Sequence, residues 1–419
     1  MPATFRPPPA IPRTHMSDFN KLWAGQTISL LGSALTVFAL PTLAVLVLHA
    51  TPLQVGALTA LQTLPFPILG MFVGVLADRL SRRRIMIVAD LVRFAVLATV
   101  PLAAAFGVLH MPQIYAVALV SGIASAFFGI TYQSYLPVIV AADRLTDANM
   151  KLEFSNSGSN MVGNALAGAL VQLVGAPSAI AFDALSYLGS VATLMQIRTR
   201  EPAHDGPPLS LGEGIREMLE GLRIVMRSSD LRWIMGATAT TNFGVAMMNA
   251  VALIFAYRIL HLQPGLLGVV YGLAEIGFVG AMFSTRVRAR FGLRATLIGS
   301  LLLAAVGLGC MLFALLGVPY VVLLLSSAVV AISVPIYNVN QLSYRQALVD
   351  VRMQGRMNAT MRTFVLGTLP VGALIGGYLG AHLGVSATIA IGALLVGLAA
   401  LWLIPLRERT GSPQVATAP

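Results

Sequence analysis

The sequence predicts an all-α integral membrane protein: twelve transmembrane helices arranged as two six-helix pseudo-repeats around a central cavity. Three observations lead there. The chain is 57% hydrophobic and only 10% charged, with a mean hydropathy of +0.82, whereas a soluble domain is about 25% charged. Apolar runs long enough to cross a bilayer as helices recur along its 419 residues. They are continuous rather than alternating, which excludes barrel strands. The third observation is the placement of the cations, in every second loop.

The elements follow in order. Residues 1–20 form a proline-rich tail, expected to be disordered. The first apolar run, 22–48, is too long for a signal-peptide core and is read as a retained span. Further spans are expected at 54–77, 85–107, 113–140, 148–173 and 177–197, which complete an N-terminal half over 21–197. The C-terminal half, 233–406, holds spans at 233–260, 264–285, 293–317, 319–343, 356–381 and 385–405, followed by a tail over 407–419. The loops after spans 2, 4, 6, 8 and 10 carry Arg79 to Arg84, Arg144, Arg198 to Arg232, Arg286 to Arg294, and Arg345 to Arg356. Those after spans 1, 3, 5, 9 and 11 carry no Lys or Arg, and only Arg258 falls near the other face. By the positive-inside rule this split puts both termini in the cytoplasm of a cell (inner or plasma) membrane.

The interruption at 198–232 begins as a linker, EPAHDGPPLSLGEG, and continues as GIREMLEGLRIVMRSSD. Ile215, Leu219, Leu222 and Met226 share one helical face there. An amphipathic helix at the membrane surface and a soluble loop helix both fit. The halves repeat: Tyr135, Asn149, Gly163 and Gly168 match Tyr344, Asn358, Gly372 and Gly377 at a common offset of 209. Parallel six-span repeats around a midplane site are a transporter architecture.

Several function classes find no support. The net charge of +11 sits in short loops between apolar runs, so no nucleic-acid partner is expected. No phosphate-binding loop, zinc motif or nucleophile elbow occurs. The chain is read as a non-enzyme without cofactor, driven by a proton gradient. Its expected partners are a small-molecule substrate and the lipid bilayer, and it is expected to be a monomer. The single cysteine, Cys310, excludes an internal disulfide.

Charge is densest in GVLADRLSRRRIMIVADLVR, residues 74–93. Gly74, Asp78, Arg79, Arg82 and Arg83 match the pattern G-x-x-x-D-[RK]-x-G-[RK]-[RK]. This stretch resembles the signature of the major facilitator superfamily between spans 2 and 3, with Ser81 at the usual glycine position. The continuation IVADLVR, together with NALAGALVQLVGAPSAIAFDALSYL and YRQALVDVRMQGRMNATMRTFVLGTLPVGALIGGYLG, resembles the exporter branch containing macrolide and siderophore (enterobactin-type) efflux proteins. Three departures stand out: Ser284 replaces the second-half aspartate, Gly163-Asn164 lacks the antiporter proline, and span 4 lacks a central arginine.

The resemblance implies that Asp78 faces the start of span 11, near Arg356-Met357-Asn358, and latches the halves on the cytoplasmic side. Asp90 and Arg93 lie one turn apart and can pair within span 3. The alternative, that this cluster only sets orientation, accounts for the arginines but not for the two aspartates. By analogy the cavity is lined from spans 1, 4, 7 and 10, with Ser33, Thr36, Phe128, Thr131, Asn242, Asn249, Tyr337 and Asn338 as candidates. Asp90 and Glu153 lie near cytoplasmic span ends, where interfacial pairing suffices. Asp183 lies about 9 Å and Glu275 about 17 Å into their spans. An ionised carboxylate at the second depth is costly, so Glu275 should be protonated, paired or water-facing; it and Asp183 are the proton-coupling candidates. The resulting expectation is a secondary exporter of an amphipathic small molecule working by alternating access and proton antiport. An uptake permease and a non-transporting membrane sensor are the alternatives.

The topology yields a direct test. With Cys310 replaced by alanine, cysteines introduced at Thr51 or His110 should react with an impermeant thiol reagent from outside the cell, and those at Asp205 or Arg288 should not. Reaction at position 205 from outside would overturn the span assignment.

Overall fold

In the computed structural model, residues 16–77, 80–199, 201, 211–275 and 280–406 are described. They are helical almost throughout. The N-terminal half comprises α1 (Met16–Leu46), α2 (Pro52–Thr63), α3 (Pro65–Ala77), α4 (Arg82–Ala105), α5 (Met111–Ile139), α6 (Leu145–Val174) and α7 (Ala176–Met195). The connecting helix is α8 (Leu211–Arg227). The C-terminal half comprises α9 (Ser229–Ile254), α10 (Pro264–Ala274), α11 (Gly280–Phe291), α12 (Leu293–Cys310), α13 (Pro319–Ala347), α14 (Val351–His382) and α15 (Val385–Leu398). Of the expected 1–20 tail, residues 16–20 are helical and open α1, with Asp18 in its first turn; residues 1–15, the tail at 407–419 and the linker residues 202–210 lie outside the described residues.

Among the described residues, ten helical segments are long and apolar enough to cross a membrane. The two expected spans that do not meet that measure are occupied by α6, whose first turns are polar, and by the α10–α11 pair. Span 2 is divided into α2 and α3 at Leu64-Pro65, because proline cannot donate the next helical hydrogen bond. Other prolines, such as Pro41, Pro101 and Pro370, sit inside long helices, which bundle neighbours tolerate.

The helix ends follow from their residues. Thr51 and Gln54 form a reciprocal capping box at α2, with Pro52 in the first turn. Asp350 caps α14 by accepting from the Arg352 N–H at 2.9 Å. The turns also expose the internal repeat. Gly175 (φ 86°) and Gly384 (φ 93°), 209 residues apart, make the turns into α7 and α15 in backbone that side chains rarely adopt. His49 (φ 50°) and His261 (φ 52°), 212 apart, close the ends of α1 and of the helix continuing α9. They are the non-glycine residues with positive φ among the described residues.

The arginine-rich loops define one end of the bundle, here the basic face. At the opposite end the halves share one apolar core. It includes Leu40, Leu43, Val55, Ile114 and Ile180 from the first half and Val251, Ile254, Phe255, Leu267 and Ile389 from the second. Toward the basic face the core divides. Phe19, Leu22, Met86, Tyr135 and Leu194 cluster in the first half, and Leu231, Ile234, Leu297, Met357 and Leu403 in the second. The halves are therefore sealed together at the non-basic end, with α6 packed on α10 and α2 on α14.

Both seals are backbone crossings. A Cβ on Gly56 would lie 2.5 Å from the Ala373 carbonyl oxygen and 2.8 Å from Gly377 Cα. A Cβ on Gly168 would meet the Pro264 carbonyl oxygen and lie 2.8 Å from Gly268 Cα. The repeat exchanges the two crossings, because Gly168 corresponds to Gly377 and Gly56 to Gly268. In lipid, where apolar burial does not drive helices together, such close approach supplies van der Waals contact that larger residues prevent.

Gly168→Val should consequently open the non-basic end. Overpacking of this kind costs about 1–3 kcal/mol. A cysteine at Thr42, which is fully buried under this seal, should then react with thiol reagents from the non-basic side about tenfold faster or more. Unchanged reactivity in a normally inserted variant would show that the crossing does not hold the seal.

Candidate functional site

The space between the halves has a roof at the non-basic end. Phe38 of α1 and Tyr271 of α10 meet edge to face with ring centroids 6.2 Å apart. Above them Thr42 and Tyr257 hydrogen-bond at 3.1 Å. Arg258 donates from Nη2 to the Val45 carbonyl at 3.1 Å. Gln172 Oε1 accepts from the Gly265 N–H at 2.8 Å. All four contacts join the two halves, and Arg258 is thus committed to α1.

Glu275 follows Tyr271 by one helical turn and so shares its side of α10, about 6 Å nearer the basic face. It is part-buried and makes no hydrogen bond or ion pair among the described residues. A lone carboxylate beneath the roof, on the side of α10 that meets the other half, is placed to meet whatever enters this space.

The other cavity candidates divide by half. On α9, Phe243, Ala246 and Met247 pack on glycines of α14, while Gly244 and Met248 pack on Gly392 of α15. At ~100° per residue, Asn242 and Asn249 fall opposite this double contact. Asn249 is exposed and Asn242 partly so. Asn338 is likewise exposed, on the face of α13 turned from α11 and α12. Tyr337 is buried and bonds Thr238 of α9 at 2.8 Å. In the first half Thr36, Phe128 and Thr131 are buried, and Ser33 is partly exposed. Among these candidates the accessible amide groups all lie in the second half.

Asp90 is fully buried rather than interfacial as expected, and with Arg93 and Asp183 it forms an interior cluster. Asp90 pairs with Arg93, as their one-turn spacing allows. The Arg93 guanidinium lies 4.6 Å from the Phe128 ring and 4.3 Å from the Tyr187 ring, geometry that favours a cation. All three residues are at most 5% exposed. Arg93 is thus held within the N-terminal half, with Phe128 as one of its walls.

At the basic turn, Asp78 and Arg79 lie outside the described residues, and Gly74 falls near the end of α3. Arg82 and Arg83 open α4, and their backbone N–H groups donate to Glu201 at 2.8 and 2.9 Å. Ser81 adds a third bond to the same carboxylate at 2.7 Å. An anion over free N–H groups at a helix start is favourable. Asp18 performs a similar task for the segment leaving α7, accepting from the Arg198 and Thr199 N–H groups at 3.1 and 2.9 Å while pairing with Lys21.

The expected start of span 11 at Arg356 is not the helix start: α14 begins five residues earlier, at Val351. Arg356 pairs with Glu220 of α8 at 2.6 Å. Gly221 and the fully buried Val225 bring α8 onto α14, while Leu219 and Met226 of the anticipated apolar face are exposed.

Sequence reasoning missed Glu201, Glu220, Tyr271 and the Thr42–Tyr257 contact. Each partner is distant in sequence, so no local spacing records it. Among the described residues, no group of three His, Cys, Asp or Glu side chains is placed to hold a metal ion.

Comparison with known proteins places this arrangement. The chain is 28% identical over 405 residues to the multidrug efflux pump Tap of Mycobacterium tuberculosis, covering 91% of this chain and 92% of that one. It is 24% identical over 378 residues to macrolide efflux protein A of Streptococcus pyogenes, covering 88% and 90%. A bacterial homologue of the iron transporter ferroportin, solved in an inward-facing state, superposes with a TM-score of 0.75 at 17% identity, covering 94% and 99%. The nucleoside transporter NupG, solved as a point mutant, gives 0.74 at 14%, covering 93% and 99%. These two establish the fold alone. The family model described as transmembrane secretion effector matches residues 12–418. With that match over nearly its whole length, the chain belongs to the transmembrane secretion effector family of major facilitator superfamily transporters.

Proposed function

We propose that the chain exports an amphipathic small molecule across the cell membrane by alternating access, in exchange for protons, with its basic face and both termini in the cytoplasm. The observation that carries this reading is the one-sided seal. The apolar core common to both halves lies at the end opposite the arginines. Cation-rich loops face the cytoplasm in most membrane proteins, so the substrate reaches the inter-half space from inside the cell. Export then requires the glycine crossings to part while the basic end closes. The relatives named for macrolide and multidrug efflux support this direction.

The substrate class follows from the wall. Asn242, Asn249 and Asn338 offer amide donors and acceptors, beside the Phe38–Tyr271 roof. Such a surface suits a molecule with a large apolar body and a few polar groups. Glu275 is the proton carrier. Burial disfavours its charged form, and a change of environment between the two conformations alters that cost. Proton and substrate then alternate in the same space, which couples export to proton entry.

The test uses a macrolide and a lipophilic cationic dye as probes. Expression in an efflux-deficient host should lower accumulation of at least one of them, and collapsing the proton gradient should restore it. In proteoliposomes Glu275→Gln should abolish uphill transport while leaving downhill exchange within about twofold, since amide and acid differ mainly in titration. Gradient-driven export that survives unaltered in Glu275→Gln would remove the assignment. Accumulation that rises on expression would reverse the direction.

A further inference from the structure

We propose that Asp90, Arg93 and Asp183 form a second proton site, buried in the N-terminal half, that binds a single proton shared by its two carboxylates and exchanges it along α1 past Thr36 and Ser33. The proposal rests on the reading of the chain as a proton-coupled transporter and adds a site separate from Glu275.

Charge balance is the first argument. Asp90 and Asp183 are fully buried, and Arg93 is 5% exposed. Two carboxylates and one guanidinium, all ionised, would leave an uncompensated negative charge inside the half. Such a charge is costly in a low-dielectric interior. The facing groups are Ser33 and Thr36 on α1, Ser186, Tyr187 and Ser190 on α7, and the Phe128 ring on α5. None of them carries a compensating charge. One bound proton makes the cluster neutral.

Geometry assigns that proton mainly to Asp183. Arg93 is in direct contact with Asp90 Oδ1, and the two aromatic rings fix its guanidinium. On Asp183, Oδ1 accepts from Ser186 Oγ at 3.3 Å. Its Oδ2 is buried with no partner at hydrogen-bond distance, as are Asp90 Oδ2 and the Thr36 hydroxyl; what separates the two acids is the Arg93 contact on Asp90. An unpartnered carboxylate oxygen in such a place is the natural position for a proton, which would supply the missing donor.

The hydroxyls beside Asp183 mark a route along α1. A Cβ on Gly32 would lie 2.6 Å from Asp183 Oδ1, so the α1 backbone covers that side. Ser33 Oγ bonds the Tyr187 hydroxyl at 2.9 Å. Along α1, Gly25 and Gly32 face α7, while Thr27 and Ala34 face α6. Ser33 falls on the stripe left between those contacts, with Val37, which is 68% exposed. A proton leaving Asp183 through Thr36 or the Tyr187–Ser33 pair emerges there.

The experiment is infrared spectroscopy of the purified full chain in lipid nanodiscs at neutral pH, without substrate or gradient. The background is Glu275→Gln, which removes the other candidate acid. A protonated-carboxyl C=O band that shifts in deuterated water is expected, and Asp183→Asn should remove it completely. Asp90→Asn should also remove it, because Arg93 then neutralises Asp183 alone; this second variant serves if the first fails to fold. Both variants keep a balanced ion pair, whereas Arg93→Leu should gain a second protonated acid. Absence of the band in the background protein, or its persistence in either asparagine variant, overturns the proposal. Because no transport is measured, a band behaving as expected in a protein that exports nothing would defeat only the exporter reading.

Discussion

The two glycine-to-glycine crossings, Gly56 on Gly377 and Gly168 on Gly268, are the contacts on which the architecture depends. They set how closely α2 approaches α14 and α6 approaches α10. The roof above the inter-half space exists because these four backbones meet: Phe38 reaches Tyr271, and Thr42 reaches Tyr257, across a gap that larger residues would widen. The roof in turn defines the depth at which Glu275 is held. Because the internal repeat relates the crossings, the two halves meet there nearly symmetrically. Packing between glycines carries few directional bonds, so it can be parted without leaving buried polar groups unsatisfied.

The basic end is organised by charge instead. Asp18 and Glu201 bind backbone N–H groups of the chain leaving α7 and entering α4, and Glu220 ties α8 to Arg356 of α14. Asp18 is buried under its bonds while Glu201 and Glu220 are part-exposed, and each ties down a segment adjoining the interhalf linker. The α8 contact gives the linker a foothold on the C-terminal half, while Glu201 gives its other end one on the N-terminal half. A connection anchored in this way constrains how far the halves separate on that side.

Much of this was legible in the sequence, because bilayer physics leaves few options. Continuous apolar runs must be helices, and alternating basic loops fix their direction. The division of span 2 at Leu64-Pro65 follows from proline chemistry, although the sequence reading ran through it. The start of α14 was placed at Arg356 because the apolar pattern begins there. The helix begins at Val351 because Asp350 caps it and polar residues at a membrane surface are no obstacle to helix. The apolar face of α8 was read from periodicity, but its docking surface is set by Gly221 and Val225, where a missing side chain permits contact. The cavity candidates show the same limit. Asn242 and Asn249 are accessible, whereas Phe128 and Thr131 are buried, and only the partners of each helix decide which stripe is free.

The central claim is that the paired crossings seal the non-basic end and part as the basic end closes. The most direct measurement is a pair of electron–electron distances in one protein lacking Cys310. One pair of spin labels, at His110 and Val318, spans the non-basic end; the other, at Arg144 and Asp350, spans the basic end. All four positions are exposed. Across changes of pH and substrate, the account predicts opposite movements, with the basic pair shortening in the population where the non-basic pair lengthens. Distances that stay fixed at both ends, or that change together in the same direction, would contradict it.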